Sequence, residues 1–345
     1  MHDNKISTLK SSLYSNNVRE INATWQKSLA NMITDPQELL EMVGLAGKIN
    51  FSPEVGKAFP LRVTREFASR IKPHTPNDPL LRQVLPVDEE LIVKAGFVAD
   101  ALQEKNANPH PGLLHKYNSR VLFIATGSCA IHCRYCFRRD FPYAMNNPGR
   151  AGWQEALDYV RNNSSIEEVI LSGGDPLMIP DNQLRWFINE FEAIPHLQRL
   201  RFHTRLPVVL PQRITEQFVQ LLTDSRLQSV IVIHSNHAQE IDDEVKAALH
   251  RLRQANIALL NQSVLLAGVN DNAASLIDLS KALFSAGVMP YYLHLLDPVA
   301  GVGHYHVPLE TAKILHREMQ HSLSGYLVPK LAQEVAGEKA KMLVL

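Results

Sequence analysis

The chain has 345 residues, with 35 Lys+Arg against 35 Asp+Glu, and so carries no formal net charge at pH 7. That balance argues against bulk nucleic-acid binding, which needs a basic face to displace counterions from phosphates. The 45% apolar share, with 16 Gly and 20 Pro, supplies a core and excludes disordered or collagen-like chains. The length fits either two domains or one α/β barrel with an extension. Met1–Ser7 has no apolar run after its charges, and no stretch of about 18 uninterrupted apolar residues follows, so the sequence reads as a soluble cytoplasmic protein with no membrane segment.

Residues 1–110 read as helical and loop-rich. Asp35-Pro36 is an N-cap followed by proline in the first helical position, ahead of the amphipathic run Gln37–Val43. Proline punctuation at Lys72–Pro79 and Asn108–Gly112 follows, and the second cluster is the preferred boundary between an N-terminal region, 1–110, and a second region, 111–345. From about residue 120 the pattern changes. Short apolar runs at Val121–Thr126, Glu168–Ser172, Leu200–His203, Ser229–His234, Ala258–Val264 and Met289–Leu296 alternate with amphipathic segments near 151–163, 181–193, 212–224, 238–255, 273–286 and 308–322. Six buried-strand signals, each followed by a helix signal, predict βα units around a parallel sheet curled into an open or partial barrel. Right-handed crossovers then place ligands at the carboxyl ends of the strands.

All three cysteines, Cys129, Cys133 and Cys136, follow the first of these strands in the spacing C-x3-C-x2-C. An odd count excludes a disulfide framework that pairs them all. Three thiolates on one short loop suit zinc or an iron–sulfur cluster. A Cys3His zinc site through His132 or a distant histidine is one reading. The other is a [4Fe–4S] cluster with no fourth cysteine, which leaves one iron open to a ligand.

The cysteine spacing at the end of the first strand resembles the signature of radical S-adenosylmethionine enzymes, and Ser172-Gly173-Gly174-Asp175-Pro176 at the end of the second strand agrees with it. Within that superfamily, Asp78–Gln83, Pro111–Tyr117, Cys133–Arg139, Pro207–Thr215, Asn261–Leu266 and Pro290-Tyr291-Tyr292 resemble the lysine 2,3-aminomutases in order and spacing. The resemblance runs from about residue 60 onward. Its ending, Ser324–Leu331, is most similar to the branch that makes (R)-β-lysine for modifying elongation factor P. The resemblance implies a partial (β/α)6 radical-SAM barrel with a mostly helical N-terminal extension and a C-terminal segment bearing the cofactor lysine. It also implies three cofactors: the [4Fe–4S] cluster, S-adenosylmethionine and pyridoxal 5′-phosphate.

Residue by residue, the resemblance implies Cys129, Cys133 and Cys136 as cluster ligands. Lys341 then holds pyridoxal phosphate as a Schiff base, with Lys339 and Lys330 as alternatives, because the family's glycine run before that lysine is reduced here to Gly337. Lys116 and Arg120 fall where the family binds the cofactor phosphate. Ser172, Gly173, Gly174 and Asp175 fall at the S-adenosylmethionine turn, and His234, Asn261 and Gln262 at further contacts to that molecule. Arg138 matches the arginine that takes the substrate carboxylate. Asp297 and Glu334 match the acidic pair that clamps the substrate ε-ammonium, Glu334 being one methylene longer than the family's residue.

The implied reaction is a radical 1,2-amino shift on L-lysine. An external electron donor reduces the cluster, S-adenosylmethionine is cleaved, hydrogen leaves the β-carbon, nitrogen migrates to it, and hydrogen returns. Elongation factor P or its ligase is the implied partner. Two other readings remain open from the residues: a radical-SAM enzyme of different chemistry on another amino acid, and a non-enzymatic zinc module.

Overall fold

The computed structural model describes residues 25–146 and 149–344. Its centre is one nine-stranded sheet whose spatial order is its sequence order: β1 Leu113–Tyr117, β2 Arg120–Thr126, β3 Glu168–Gly173, β4 Arg199–Thr204, β5 Gln228–Ile233, β6 Ala258–Val264, β7 Met289–His294, β8 Lys330–Gln333 and β9 Met342–Leu343. Strands β2 to β8 pair in parallel, and β1 and β9 add to the two ends antiparallel. The sheet curls without pairing its ends. The six expected strands are β2 to β7. Three short strands, β1, β8 and β9, join them.

In the N-terminal extension Pro36–Met42 forms α1, capped by the Asp35 side chain, which accepts a hydrogen bond from the Gln37 N–H at 2.9 Å. The remaining helix between 25 and 110 comes in short pieces, such as Val55–Ala58 between Pro53 and Pro60 and Arg65–Ala68 between Pro60 and Pro73. Each of β2 to β7 is followed by a main crossover helix: α2 Gly149–Arg161, α3 Asp181–Glu192, α4 Glu216–Thr223, α5 Asp243–Gln254, α6 Ala273–Ser285 and α7 Leu309–Ser322, with a short turn of helix, Leu206–Val209, also ahead of α4. Side-chain caps mark three of their starts. Thr215, Asp242 and Asn272 accept from the N–H groups of Phe218, Val245 and Ser275. Each helix buries an i, i+3, i+4 stripe, for example Leu184, Phe187, Ile188 and Phe191 in α3.

Strand alternation sorts the barrel residues into two sets. Val121, Phe123, Val169, Leu171, Leu200, Phe202, Ile231 and Ile233 face outward into the main core, where Leu39, Leu40, Leu61, Phe67 and Leu80 of the N-terminal extension join the crossover helices. The intervening positions, among them Arg120, Ser172, Arg201, His203 and Gln262, face the lumen. Among the described residues no helix is long and apolar enough to cross a membrane.

Candidate active site

The cysteine loop leaves the carboxyl end of β2 and is held from three sides. Beneath it lies the turn Ser172–Asp175. The Gly174 N–H donates to the Thr126 carbonyl at 2.7 Å and the Asp175 N–H to the Ser128 carbonyl at 2.8 Å. A Cβ on Gly174 would sit 2.4 Å from the Ser128 oxygen, and one on Gly173 would sit 2.5 Å from the Thr126 oxygen, so these two positions admit only glycine. Gly173 also adopts φ +115.

The extension closes the second side. Arg134 forks onto Glu90 through Nε at 2.8 Å and Nη2 at 2.5 Å, Arg139 reaches the same carboxylate at 2.9 Å, and His132 contacts the Pro60 carbonyl through Nδ1 at 2.8 Å. Arg62 donates to the Cys129 carbonyl at 3.1 Å. The third side is Arg205, at the end of β4, whose Nη1 donates to Cys133 Sγ at 2.8 Å. Burial pushes the Cys129 thiol well above its ordinary range, with the charges of Cys136, Asp175 and Cys133 adding to the effect. Burial and then Cys133 push Cys136 up to about 12. Thiols that raise one another in this way share one enclosure that a cationic group would relieve. Among the described residues no three His, Cys, Asp or Glu side chains converge on a point that a single metal ion would fill. Three thiols on one short loop can each bind a separate iron of a [4Fe–4S] cluster, whereas a closed zinc site needs a fourth ligand on the same ion.

Below the loop the lumen carries a chain of alternating charges. Arg138 forks onto Glu104 through Nε and Nη2, both at 2.8 Å, and places Nη1 3.3 Å from Ser172 Oγ. Lys116 Nζ lies 3.3 Å from Glu104 and 3.0 Å from Glu334, and Lys341 Nζ lies 3.1 Å from Glu334 and 3.4 Å from His294 Nε2. Burial raises the Glu334 carboxyl, but Lys341 and Lys116 outweigh it and hold that group down at about 2. Burial likewise opposes ionisation of Glu104, and Arg138 and then Lys116 overcome it. Asp297, just past β7, makes no ion pair among the described residues, and Lys341 and Lys116 act on it only weakly against burial. Burial and then the Glu334 charge push it up to about 7. The imidazoles of His203, His234 and His294 are held neutral by burial, His234 down at about 3. His203 Nε2 is buried with no hydrogen-bond partner.

The structure thus brings Lys341, Glu334, Lys116, Asp297, Arg138 and Ser172 into one space, with His234 and Gln262 hydrogen-bonded to each other nearby at 2.6 Å. Lys339 and Lys330 are exposed, unlike Lys341. Arg120 stacks over the Tyr117 ring at 4.3 Å and makes no ion pair with a carboxylate among the described residues. Two expected ligand contacts are corrected. Asn261 cannot face the lumen beside Gln262, because neighbours on a strand point to opposite faces; its amide is engaged by Ser235 and Ser263. Asp175 has both oxygens occupied by the Leu177, Arg205 and Leu206 N–H groups and Thr204 Oγ1, so its carboxylate holds the turn in place. The sequence reading missed Glu104, Arg205, His203 and His294. His203, which ends the predicted run Leu200–His203, and Arg205 just after it left a trace as polar residues at the carboxyl end of a predicted strand.

Comparison with known proteins agrees with this geometry. Residues 123–279 match the model of the radical SAM superfamily. The chain is 49% identical to an L-lysine 2,3-aminomutase of Escherichia coli, over 92% of this chain and 93% of that protein. It is 51% identical to one of Haemophilus influenzae, over 92% and 95%. It is 34% identical to one of Clostridium subterminale, over 93% of this chain and 77% of that protein.

Proposed function

Because the chain belongs to the lysine 2,3-aminomutase family of radical-SAM isomerases, we propose that it is a pyridoxal-phosphate-dependent enzyme converting L-lysine to (R)-β-lysine for modification of elongation factor P. The observation that carries the substrate reading is the spacing of charge in one lumen. A guanidinium, Arg138, lies beside the cysteine loop, and a buried acidic group that makes no ion pair among the described residues, Asp297, shares the lumen with Glu334 and Lys341. An α-carboxylate at one end and an ε-ammonium at the other satisfy both.

When bound, the cluster and S-adenosylmethionine would supply a one-electron reductive route to a carbon radical, and pyridoxal phosphate would supply a conjugated carrier for the migrating nitrogen. The protein's residues do the rest. Cys129, Cys133 and Cys136 hold the cluster. Ser172, Gly173 and Gly174 bring the backbone close enough to meet the methionyl group, and His234 with Gln262 lines the adenosine side. Lys116 and Arg120 receive the phosphate, and the absence of a carboxylate on Arg120 leaves its charge for an anion. Lys341 is the lysine of the three candidates that points inward, and Glu334 beside it keeps its ammonium in place until the cofactor arrives. Glu104 grips Arg138 through Nε and Nη2 and Ser172 takes one N–H of Nη1, which leaves the second N–H of each terminal nitrogen to meet the substrate carboxylate. Asp297 gives up its proton on meeting the substrate ammonium. Burial of the whole constellation excludes water from a radical path.

Borohydride treatment of pyridoxal-phosphate-loaded protein, followed by peptide mapping, tests the cofactor assignment. The pyridoxyl label is expected on Lys341, and a label on Lys330 or Lys339 would overturn it. The elongation-factor role is tested by parallel turnover of free lysine and of lysine already attached to the factor. Preference for free lysine and an R product support it, and turnover of the attached lysine alone would contradict it.

A further inference from the structure

Among the described residues Arg205 is the one cation that touches a cysteine sulfur directly, and nothing in the proposed reaction uses it. Its side chain is buried between the cysteine loop and the core. Nη1 donates to Cys133 Sγ at 2.8 Å, while Nη2 donates to Gln83 Oε1 at 2.7 Å and to Glu240 Oε2 at 3.0 Å. The guanidinium also stacks over Phe67 at 5.2 Å and Tyr135 at 5.7 Å. Glu240 is fixed in turn: Oε1 accepts from Gln83 Nε2 and from the Asn236 and His237 N–H groups. Arg205, Glu240 and Gln83 are all nearly inaccessible to solvent, so this assembly is a preset charge and hydrogen-bond donor aimed at one cysteine sulfur.

We propose that Arg205 is the positioning residue that sets the reduction potential of the cluster, with Glu240 as its counterweight. The proposal rests on the reading that the three cysteines hold a cluster. Adding an electron to a buried cluster makes it more negative, and a fixed positive donor at a ligand sulfur stabilises that state. Glu240 works against it by cancelling part of the Arg205 charge at close range. Gln83, from the N-terminal extension, keeps the guanidinium on the sulfur side of the pair. The extension thereby reaches the electron-transfer step through one amide.

The test is an EPR-monitored redox titration of anaerobically reconstituted protein without S-adenosylmethionine, with iron and sulfide content determined for every sample. Arg205→Gln is expected to lower the reduced-to-oxidised ratio of the cluster about tenfold at a fixed ambient potential, a shift of about 59 mV for a one-electron couple. Glu240→Gln is expected to move the ratio the opposite way, since it unmasks the arginine. Arg205→Lys retains charge without the fork and is expected to fall between wild type and Arg205→Gln. A purely structural role predicts no opposition of sign. Unchanged potentials in fully loaded variants, or shifts of one sign in Arg205→Gln and Glu240→Gln, would overturn the assignment. If Arg205→Gln does not load, the directions in Glu240→Gln and Arg205→Lys decide it. Wild type that fails to bind iron and sulfide would instead overturn the cluster reading beneath it.

Discussion

Replacing Gly174 by alanine tests the claim that the turn after β3 is shaped to carry the cysteine loop. The new Cβ would lie 2.4 Å from the Ser128 oxygen and 2.8 Å from the carbonyl carbons of Gly127 and Ser128. Ordinary carbon contacts begin near 3.5 Å, and all three obstacles are backbone, so the loop must retreat by about an ångström. That retreat stretches two hydrogen bonds, Gly174 N–H to Thr126 O at 2.7 Å and Asp175 N–H to Ser128 O at 2.8 Å, each contributing about 1 kcal/mol net. Overpacking costs a further 1–3 kcal/mol or so, giving about 3–5 kcal/mol in all. Urea unfolding monitored by circular dichroism, with Gly56→Ala as control, measures it. Gly56 lies in the helix Val55–Ala58 with an ordinary φ and nothing within 4 Å of its added Cβ, so the control is expected to be no less stable than wild type and to gain up to about 1 kcal/mol. Gly174→Ala is also expected to load substantially less iron, because the loop that moves is the one that bears Cys129. A Gly174→Ala protein within 1 kcal/mol of wild type and with full iron content would refute the reasoning.

The charge chain in the lumen makes further expectations. Glu104→Ala strands the buried Arg138 guanidinium and is expected to cost about 3–5 kcal/mol in urea unfolding; a loss under 1 kcal/mol would show that Glu104 does not hold it. Asp297, raised to about 7, keeps its proton in the folded state long after the unfolded chain has released it. Its contribution to stability is therefore complete below about pH 4 and is lost as pH rises toward 7, and kcat/KM for lysine is expected to rise through the same pH of about 7. Asp297→Asn should remove both trends, and a surviving rise in kcat/KM would assign it to another group. Glu334, held down at about 2, has the opposite sign. Its stabilisation is present above the unfolded carboxyl value and fades as pH falls from about 4 toward 2, so Glu334→Gln should flatten that acid limb in thermal melts, and an unaltered limb would count against the lysine pairing.

The six crossover units were legible because periodicity carried them. The runs Val121–Thr126 and Ala258–Val264 are strands over the predicted residues or within one of them, and the helices begin where Asp242 and Asn272 cap them. Strands β8 and β9 were not legible: Lys330–Gln333 and Met342–Leu343 are too short to show a period, and tertiary pairing at the sheet end creates them. In the site, the cysteine loop and the glycine turn announced themselves by composition. The partners that hold them did not, because Glu104, Arg205 and Glu240 meet Arg138, Cys133 and Gln83 across long stretches of sequence, and an isolated buried charge has no local signature. Asn261 misled for the converse reason. It lies beside Gln262 in sequence, and the two-residue period of the strand turns it to the other face.

The central claim is a radical amino shift on lysine. Anaerobically reconstituted protein, with full iron content and bound pyridoxal phosphate, should convert L-lysine carrying deuterium at the β-carbon into β-lysine in the presence of S-adenosylmethionine and a one-electron reductant, and deuterium should appear in 5′-deoxyadenosine and at the carbon the nitrogen has left. Cleavage of S-adenosylmethionine with no β-lysine and no deuterium transfer from lysine, in protein of confirmed cofactor content, would contradict the account.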